Sequence, residues 1–394
     1  MIDQFTRTST KSFGSRISSS IGGILFGFLF VAGSIYLLSW NENRAVTTAR
    51  SLEEGEKTVV SLPAATVDPA NEGKLIHLSG EALTNEPLSD PIFGLSATAL
   101  RLGRVVNMHQ WKEDKEETTT KRSDGRTETK TTYRYTKTWA GSRLDSSKFQ
   151  QPEGHQNPPS LPVTADSFVA KNATLGSFKL PAGLLVKMKG DQALVPTAGD
   201  LEKVPAPWNA KLHVFESGFY HGVDPVNPAI GDLKITFQHL PPGPFSILAQ
   251  QQGDTLAPYP TKAGREIERV ESGLISAAVM FQRAHHENNV LTWLLRGAGG
   301  LAMALGFRMI LSPISTLGSV IPIFGRILES GVGFVATILA AAGSLITIAI
   351  AWVAVRPVFG ITLVVLAVGA LFLPRLLRAR RDPSVPPPID GTAG

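Results

Sequence analysis

The sequence predicts a membrane protein with four transmembrane α-helices, one N-terminal and three C-terminal, and a large β-rich α+β extracytoplasmic domain between the first two. Two observations support this fold class. Apolar residues are concentrated at 21–40 and again from 290 to 373, whereas the residues between have the composition of a water-soluble protein. Basic residues cluster beside the apolar runs, so the net charge of +5 indicates membrane topology rather than nucleic-acid binding.

The first apolar run, IGGILFGFLFVAGSIYLLSW, carries no charge over 20 residues. This is about the length that crosses a ~30 Å hydrocarbon layer. A cleaved signal peptide would have a shorter apolar region and a small-residue cleavage site. Because the run ends in Trp40-Asn41-Glu42-Asn43-Arg44, we interpret 21–40 as an uncleaved span that follows a cytoplasmic tail of residues 1–20.

The C-terminal third predicts three further spans, at 290–311, 331–355 and 358–373. The segment 312–330 between the first two is interrupted by Pro313, Pro322 and Arg326. We therefore expect it to form an amphipathic helix at the cytoplasmic interface. An Arg- and Pro-rich cytoplasmic tail follows at 374–394.

The Lys and Arg residues of the short flanks are more numerous on the side that holds both termini. The positive-inside rule therefore predicts cytoplasmic termini and places 41–289 outside. Arg296 lies within the predicted span 290–311, near its outer end, and we expect it to extend to the headgroups. The residues expected at the membrane interface are Trp40, Arg44, Trp293, Arg296, Arg375 and Arg378.

Small residues within the apolar runs predict close helix packing, since backbone approach drives helix association in hydrocarbon. These faces could pack within one chain or between chains. We predict that the Gly23/Gly27 pair contributes to a contact between chains. The candidate packing residues are Gly23, Gly27, Ala298, Ala302 and Gly306.

Between the first two spans, short strands broken by Pro and Gly predict a β-rich domain with a charged hairpin at 112–138. Asp124-Gly125 predicts a two-residue type I′ turn, which would place Lys121 opposite Glu128 and Lys112 opposite Lys137. The like-charged pair predicts a bulge or fraying below the tip. The hairpin could contact a partner or be a solvated projection, and the pattern favours neither.

No catalytic or metal-binding motif is found in the sequence. The absence of cysteine excludes disulfides, zinc–thiolate sites and a cysteine nucleophile, and the eight histidines are scattered. We therefore predict no catalytic, cofactor-binding or metal-binding residues. The alternative is a membrane-bound enzyme acting on lipid or envelope polymer, whose site would combine distant residues such as His155, Asp232 and Asp254.

Several segments occur in an order that resembles the transmembrane protein 43 family, also called LUMA. They include NENRAVTTARSLEEG, LSDPIFG, MHQWKE, GHQNP, IGDLKITF and LTWLLRGAGGLAMALGFRMI. The resemblance implies four-span proteins of the endoplasmic reticulum and inner nuclear membrane, with bacterial relatives. It also implies cytoplasmic termini and homo-oligomers that organise membrane proteins and lipid domains.

The resemblance predicts a non-enzymatic membrane scaffold rather than an enzyme. Its expected partners are the lipid bilayer, other membrane proteins and further copies of itself, with no nucleic acid. The missing cysteines and the tail PSVPPPIDGTAG favour a relative in a bacterial inner membrane with a periplasmic domain. The alternative location is the endoplasmic reticulum or the inner nuclear membrane.

Overall fold

A computed structural model describes residues 3–11, 13–121, 126–318 and 322–355. The chain divides into two compact units. Met1–Arg16 with Thr47–Asn288 form the β-rich unit, and Ile17–Val46 with Asn289–Gly394 form the helical unit. Several predictions lie outside the described residues: the fourth span at 358–373, the tail at 374–394, and the interface residues Arg375 and Arg378.

The helices of the described residues are α1 Phe13–Thr58, α2 Ala182–Lys187, α3 Ala198–Leu201, α4 Ala277–Gly318 and α5 Pro322–Val355. Three segments within them are long and apolar enough to cross a membrane: Gly22–Thr58, Ala277–Ile314 and Gly331–Ala354. The chain therefore has the helices of a multi-pass membrane protein, one before and two after the β-rich region.

The segment 312–330 is not a separate helix, which corrects the prediction of an independent interfacial element. Helix α4 continues through Pro313 to Gly318, and α5 begins at Pro322. Pro313 thus lies inside a helix and does not end it.

The strands of the described residues are, in chain order, β1 Asp3–Lys11, β2 Val60–Pro63, β3 Leu75–Leu83, β4 Pro87–Ser89, β5 Ser96–Thr98, β6 Arg101–Lys121, β7 Thr127–Ala140, β8 Asp166–Val169, β9 Thr174–Leu175, β10 Phe178–Lys179, β11 Gln192–Leu194, β12 Leu212–Phe215, β13 Gly218–His221, β14 Leu233–Leu240, β15 Gly243–Gln252, β16 Thr255–Ala257, β17 Tyr259–Pro260, β18 Glu266–Ile267 and β19 Arg269–Ser272. They confirm a β-rich region between α1 and α4.

Two sheets organise the β-rich unit. Within the described residues the larger sheet has the order β1-β7-β6-β14-β13-β12, with β11 on β14 and β8 on β6. The smaller sheet has the order β19-β15-β16-β10-β9-β3-β2, and β15 also pairs with β3. Neighbouring strands are antiparallel except for β2 with β3 and β10 with β16.

Helices α1 and α4 extend beyond their apolar runs because their ends are packed in the β-rich unit. Leu52 of α1 and Phe281 of α4 are buried in one cluster with Leu248 of the smaller sheet. A Cβ added at Gly55 would lie 2.5 Å from the Ile267 Cδ1 atom. The burial of these faces stabilises helix well past Trp40, where hydropathy alone predicted the span to end.

The long hairpin of β6 and β7 has a register displaced by one residue from the prediction. Lys121 lies opposite Thr127 and Lys112 opposite Thr136, so the predicted Lys121–Glu128 pairing is wrong. The observed register avoids the like-charged Lys112–Lys137 opposition. It also lets the Tyr135 hydroxyl donate to Glu113 Oε2 at 2.7 Å. The turn at Asp124-Gly125 lies outside the described residues.

The outer edge of β7 is covered by the N-terminal strand β1, which the sequence did not predict. Nine antiparallel pairs run from Asp3 opposite Tyr135 to Lys11 opposite Thr127. The side chains of residues 3–10 are all exposed. Because β1 buries little apolar surface, its pairing gains little beyond backbone hydrogen bonds.

Pairing of β1 with β7 and a bilayer crossing by α1 exclude each other in one chain. Within the helical unit α1 packs antiparallel to α4, with Gly27 against Gly306 and Leu38 against Gly299. A bilayer around these helices therefore separates the residues before Gly22 from those after Trp40. Each central Leu, Ile or Phe favours insertion by about 0.3–0.6 kcal/mol, so the apolar run outweighs an exposed strand. We therefore predict that β1 leaves β7 on insertion and that residues 1–20 form a cytoplasmic tail.

Cysteine substitutions at Ser9 and Thr129, which lie opposite each other in the β1–β7 pairing, test this topology. In intact cells an impermeant thiol reagent should label Thr129→Cys and not Ser9→Cys, and the double variant should form no internal disulfide under mild oxidation. The chain has no cysteine of its own to add background. A disulfide between the two positions in the membrane would show that β1 remains paired and that α1 does not cross.

Candidate functional site: a buried polar cluster in the helical unit

A polar cluster joins the three helices of the helical unit. Glu42 lies in α1 just beyond the apolar run, Arg296 lies in the first half of α4, and Trp352 lies near the end of α5. The antiparallel order of α1 and α4 brings Glu42 and Arg296 to the same end of the unit. Charged and indole groups thus meet where the apolar run of α1 ends.

The Glu42 carboxylate is the centre of the cluster, with its side chain 2% exposed. Arg296 donates from Nε to Oε1 at 2.6 Å and from Nη2 to Oε2 at 2.8 Å. The Trp352 Nε1 group donates to Oε2 at 2.7 Å. Both carboxylate oxygens therefore have partners from another helix. Such bidentate pairs are the stronger class of charged hydrogen bond.

Arg296 was predicted to extend to the lipid headgroups, but its guanidinium binds Glu42 instead. It also lies over two indole rings, 4.7 Å from the centroid of Trp293 and 5.7 Å from that of Trp352. A cation over an indole face is attracted by the ring electrons. Glu42 and the two indole rings thus stabilise the Arg296 charge, which we had expected the lipid headgroups to stabilise.

A second set of hydrogen bonds ties α1 to α4 beside the ion pair. Asn41, which is fully buried, donates from Nδ2 to the Thr292 carbonyl at 3.1 Å. Arg44 donates from Nη2 to Thr292 Oγ1 at 2.9 Å. Arg44 therefore bonds to protein, whereas Trp40 and Trp293 are 45% and 69% exposed.

Glycine contacts set the distance between α1 and α4. A Cβ at Gly27 would lie 2.7 Å from the Gly306 carbonyl oxygen, and one at Gly306 would lie 2.8 Å from that of Gly27. Gly27 therefore packs within its own chain, which corrects its predicted role between chains. Among the described residues, no atom lies within 4 Å of a Cβ added at Gly23.

The predicted face of Ala298, Ala302 and Gly306 is only partly correct. Ala298 is exposed and Ala302 is half-buried, while Gly299 packs so that an added Cβ would lie 2.7 Å from Leu38 Cδ2. Gly299 and Gly306 are seven residues apart and form the close contact with α1. The predicted residues Ala298 and Ala302 lie beside the face of α4 that contacts α1, not on it.

Taken together, these contacts hold three helices in one register and provide no group placed for bond-making chemistry. The Arg296 and Glu42 side chains are 16% and 2% exposed, so the ion pair is largely removed from water. Removing one partner of a buried pair costs about 3–5 kcal/mol, because the other charge remains buried. We interpret the cluster as a clamp that fixes the arrangement of α1, α4 and α5.

The residues proposed for an enzymatic site are not brought together. His155 Nε2 lies 2.9 Å from Asp3 Oδ2, and the His155 ring stacks on that of Tyr135 with centroids 3.9 Å apart. Asp232 accepts the Tyr220 hydroxyl at 2.5 Å, and the burial of this hydroxyl raises the pKa of Tyr220. Asp254 lies on the smaller sheet, where its carboxylate pairs with the exposed Lys179 at 2.7 Å. Each has its own structural partners.

His77 is another buried histidine with polar neighbours. Its Nε2 donates to the Ile275 carbonyl at 2.8 Å, and Ser79 Oγ lies 3.3 Å from the same nitrogen. Burial lowers the pKa of His77, although the bond to Ile275 opposes the shift. Among the described residues no group of three or more His, Asp or Glu side chains could hold a metal ion. We assign His77 a structural role at the entry to α4.

Glu42, Trp352 and Gly299 are the site residues that the sequence did not predict. Glu42 was excluded because hydropathy ended the first span at Trp40. A signal was nevertheless present, since an arginine within a span is expensive unless a carboxylate faces it. Glu42 lies only two residues beyond the end of the first apolar run.

The clamp predicts non-additive effects of substituting Glu42 and Arg296. Glu42→Leu and Arg296→Met should each destabilise the detergent-solubilised protein by about 3–5 kcal/mol, since each leaves one charge buried and unpaired. The double variant should recover most of that loss. Thermal unfolding followed by tryptophan fluorescence measures the effect, with Ile350→Ala as a control because Ile350 is 66% exposed on α5. Single variants as stable as the wild type would contradict a clamp.

The lowered pKa of His77 predicts a pH dependence of stability. Below the ordinary histidine pKa of about 6.5 the unfolded chain binds a proton that the folded chain resists. The wild-type melting temperature should therefore fall as pH decreases from 7.5 to 5, relative to that of His77→Gln, which keeps a donor and does not titrate. The difference should be flat above pH 7. If the melting temperatures of the two proteins change with pH in the same way, the titration of His77 does not contribute to stability.

Comparison with known proteins identifies the family. The family model described as transmembrane protein 43 matches residues 108–357. Mouse transmembrane protein 43 is 33% identical over 383 residues, with 94% of each chain covered. The human protein is 32% identical over 390 residues, which cover 96% of this chain and 94% of the human protein. A Drosophila melanogaster homologue is 31% identical over 344 residues, which cover 85% of this chain and 89% of the homologue. No solved structure matches the chain. With this identity across nearly its whole length, the chain belongs to the transmembrane protein 43 family.

Proposed function

We propose that the protein is a non-enzymatic membrane scaffold that self-associates through its helical unit and organises other membrane proteins or lipids around it. The observation that carries the proposal is the clamp of Glu42, Arg296 and Trp352, which fixes three helices whose outer faces are apolar. A rigid unit presents the same apolar surface to every neighbour. Family membership supports the proposal, since the resemblance implies homo-oligomers of this kind.

Within the described residues, the outer faces of the helices carry large apolar side chains that are mostly exposed. In a bilayer, such faces contact either lipid or another protein. Small residues beside them allow close approach of a second helix. Exposed examples are Leu25, Phe28 and Tyr36 on α1, Leu294 and Leu301 on α4, and Phe334 and Leu345 on α5.

Gly23 is the position at which we place contact between chains. The second glycine of the predicted pair, Gly27, packs against α4 of the same chain, but a Cβ added at Gly23 meets no atom of the described residues within 4 Å. The exposed Phe26 lies three residues further along the helix, on a neighbouring face. A second α1 can therefore approach here without displacing α4.

We place the β-rich unit on the extracytoplasmic face, in a bacterial inner membrane with the unit in the periplasm. Arg308 and Arg326 lie on either side of residues 319–321 in the sequence, and four further arginines follow residue 374. Short basic flanks remain in the cytoplasm. The absence of cysteine and the divergent C-terminal tail support the bacterial location over the endoplasmic reticulum or inner nuclear membrane.

Leucine substitutions at two glycines of α1 test self-association. Gly23→Leu should lower the association constant about fivefold, because a lost interhelical contact is worth about 1 kcal/mol. Gly33→Leu is the matched control: its added Cβ also meets no atom within 4 Å, and it lies on a different face of the helix. Energy transfer between labelled chains in vesicles, at a series of protein-to-lipid ratios, gives the constants.

Equal constants for the Gly23→Leu and Gly33→Leu variants would remove Gly23 from the interface. No energy transfer at any protein-to-lipid ratio for the wild type would contradict self-association itself. Co-purification with crosslinking from native membranes then tests the wider scaffold role, which requires recurrent neighbours in constant proportion to the chain.

A further inference from the structure

We propose that β7 pairs with β7 of a second copy, antiparallel and centred on Thr131, through the edge that β1 occupies in the structure. The inference rests on the self-association proposed above and places a second contact in the β-rich unit. The partner of β7 is thus another copy of this chain. Backbone hydrogen bonds between the two strands and pairs of opposite charges would hold the copies together. The paired segment is 127–135 of each copy.

The edge is able to accept a strand because it already holds one. β1 makes nine consecutive pairs with residues 127–135, and no residue in that register is skipped. The other edge of β7 is paired with β6 along its length. The backbone groups that β1 uses are therefore the ones that any replacement strand would use.

The edge needs a new occupant when α1 crosses the bilayer. The antiparallel packing of α1 on α4 then carries β1 to the opposite side of the membrane from β7, as argued above. A straight edge of nine residues with unpaired N–H and C=O groups is a template for another strand. The second copy is the occupant that self-association brings closest.

The charges along β7 select one self-pairing register. Centred on Thr131, the pairing sets Glu128 of each copy opposite Arg134 of the other, so the interface has two oppositely charged pairs. Lys130 then lies opposite Thr132, and no like charges oppose each other. Opposite charges on facing strands contribute about 0.2–1 kcal/mol per pair.

The neighbouring registers are unfavourable. A pairing centred on Lys130 sets Arg126 opposite Arg134, and one centred on Thr132 sets Lys130 opposite Arg134. Each puts like charges directly across the ladder twice, because the arrangement is two-fold symmetric. The sequence of β7 thus favours the register centred on Thr131 over both adjacent ones.

The other face of the same register is compatible with the pairing. Tyr133 lies opposite Thr129 of the second copy, and Thr131 lies opposite itself. Aromatic and β-branched residues form favourable cross-strand pairs. The interface is isologous, as in most two-fold dimers, so one strand segment supplies both halves.

A single cysteine at the centre tests the register. In the two-fold pairing, residue 131 faces its own copy with Cβ atoms about 4.5–5.5 Å apart, within reach of a disulfide. Thr131→Cys should therefore give a covalent dimer under mild oxidation in native membranes. Lys137→Cys is the control, because its two copies would be separated by about 40 Å along the ladder. The wild-type chain contains no cysteine.

Charge exchange in the Thr131→Cys background tests recognition. Glu128→Arg alone and Arg134→Glu alone should each reduce the covalent dimer severalfold, and the double variant should restore it. Restoration is decisive because both residues also have neighbours within their own chain. No dimer with Thr131→Cys, equal dimer with Lys137→Cys, or no rescue by the double variant would overturn the inference.

The outcome is distinguishable from a failure of the proposed function. Energy transfer between helical units that persists without a Thr131→Cys dimer would leave the scaffold proposal and remove the β7 contact. A Thr131→Cys dimer that resists Gly23→Leu would support the β7 contact independently of the α1 face. If neither energy transfer nor the Thr131→Cys dimer is observed, both the scaffold proposal and the β7 contact are wrong.

Discussion

The arrangement of the helical unit depends on the ion pair between Glu42 and Arg296. A carboxylate that is 2% exposed and a guanidinium among apolar helices are each costly alone, and each is the charged partner of the other. Trp352 then fixes the position of α5, because its indole N–H is directed at the same carboxylate. The pair therefore requires all three helices to be present and correctly placed. This requirement gives the unit a defined surface despite its featureless apolar exterior.

Small residues and the ion pair have complementary effects. Gly27, Gly299 and Gly306 permit close approach of α1 and α4, but glycine contacts alone allow several rotations and shifts of one helix on the other. The bidentate pair and the Asn41–Thr292 bond permit one register. Gly23, where an added Cβ meets no described atom within 4 Å, offers a close-packing position on the outside of this unit.

The sequence predicted the kind of each major element but not the long-range partners. Hydropathy located α1, α4 and α5, since twenty apolar residues have few alternatives to a helix in a membrane. It could not extend α1 to Thr58, because that extension depends on Leu52 and Gly55 packing against distant residues of the β-rich unit. The hairpin register also differed by one residue: turn chemistry at Asp124-Gly125 favoured one offset, whereas charge avoidance and the Tyr135–Glu113 bond favour the other. Glu42 was missed for the same reason as Leu52, namely that its partner lies 254 positions away.

The central claim is that a rigid helical unit associates with further copies of itself in the membrane. Subunit counting by single-molecule photobleaching measures this directly, using chains that each carry one fluorophore in vesicles at low protein density. The account predicts that most particles bleach in two or more steps, at densities where chance co-occupancy is rare. Single-step bleaching of nearly every particle, at every density, would contradict it.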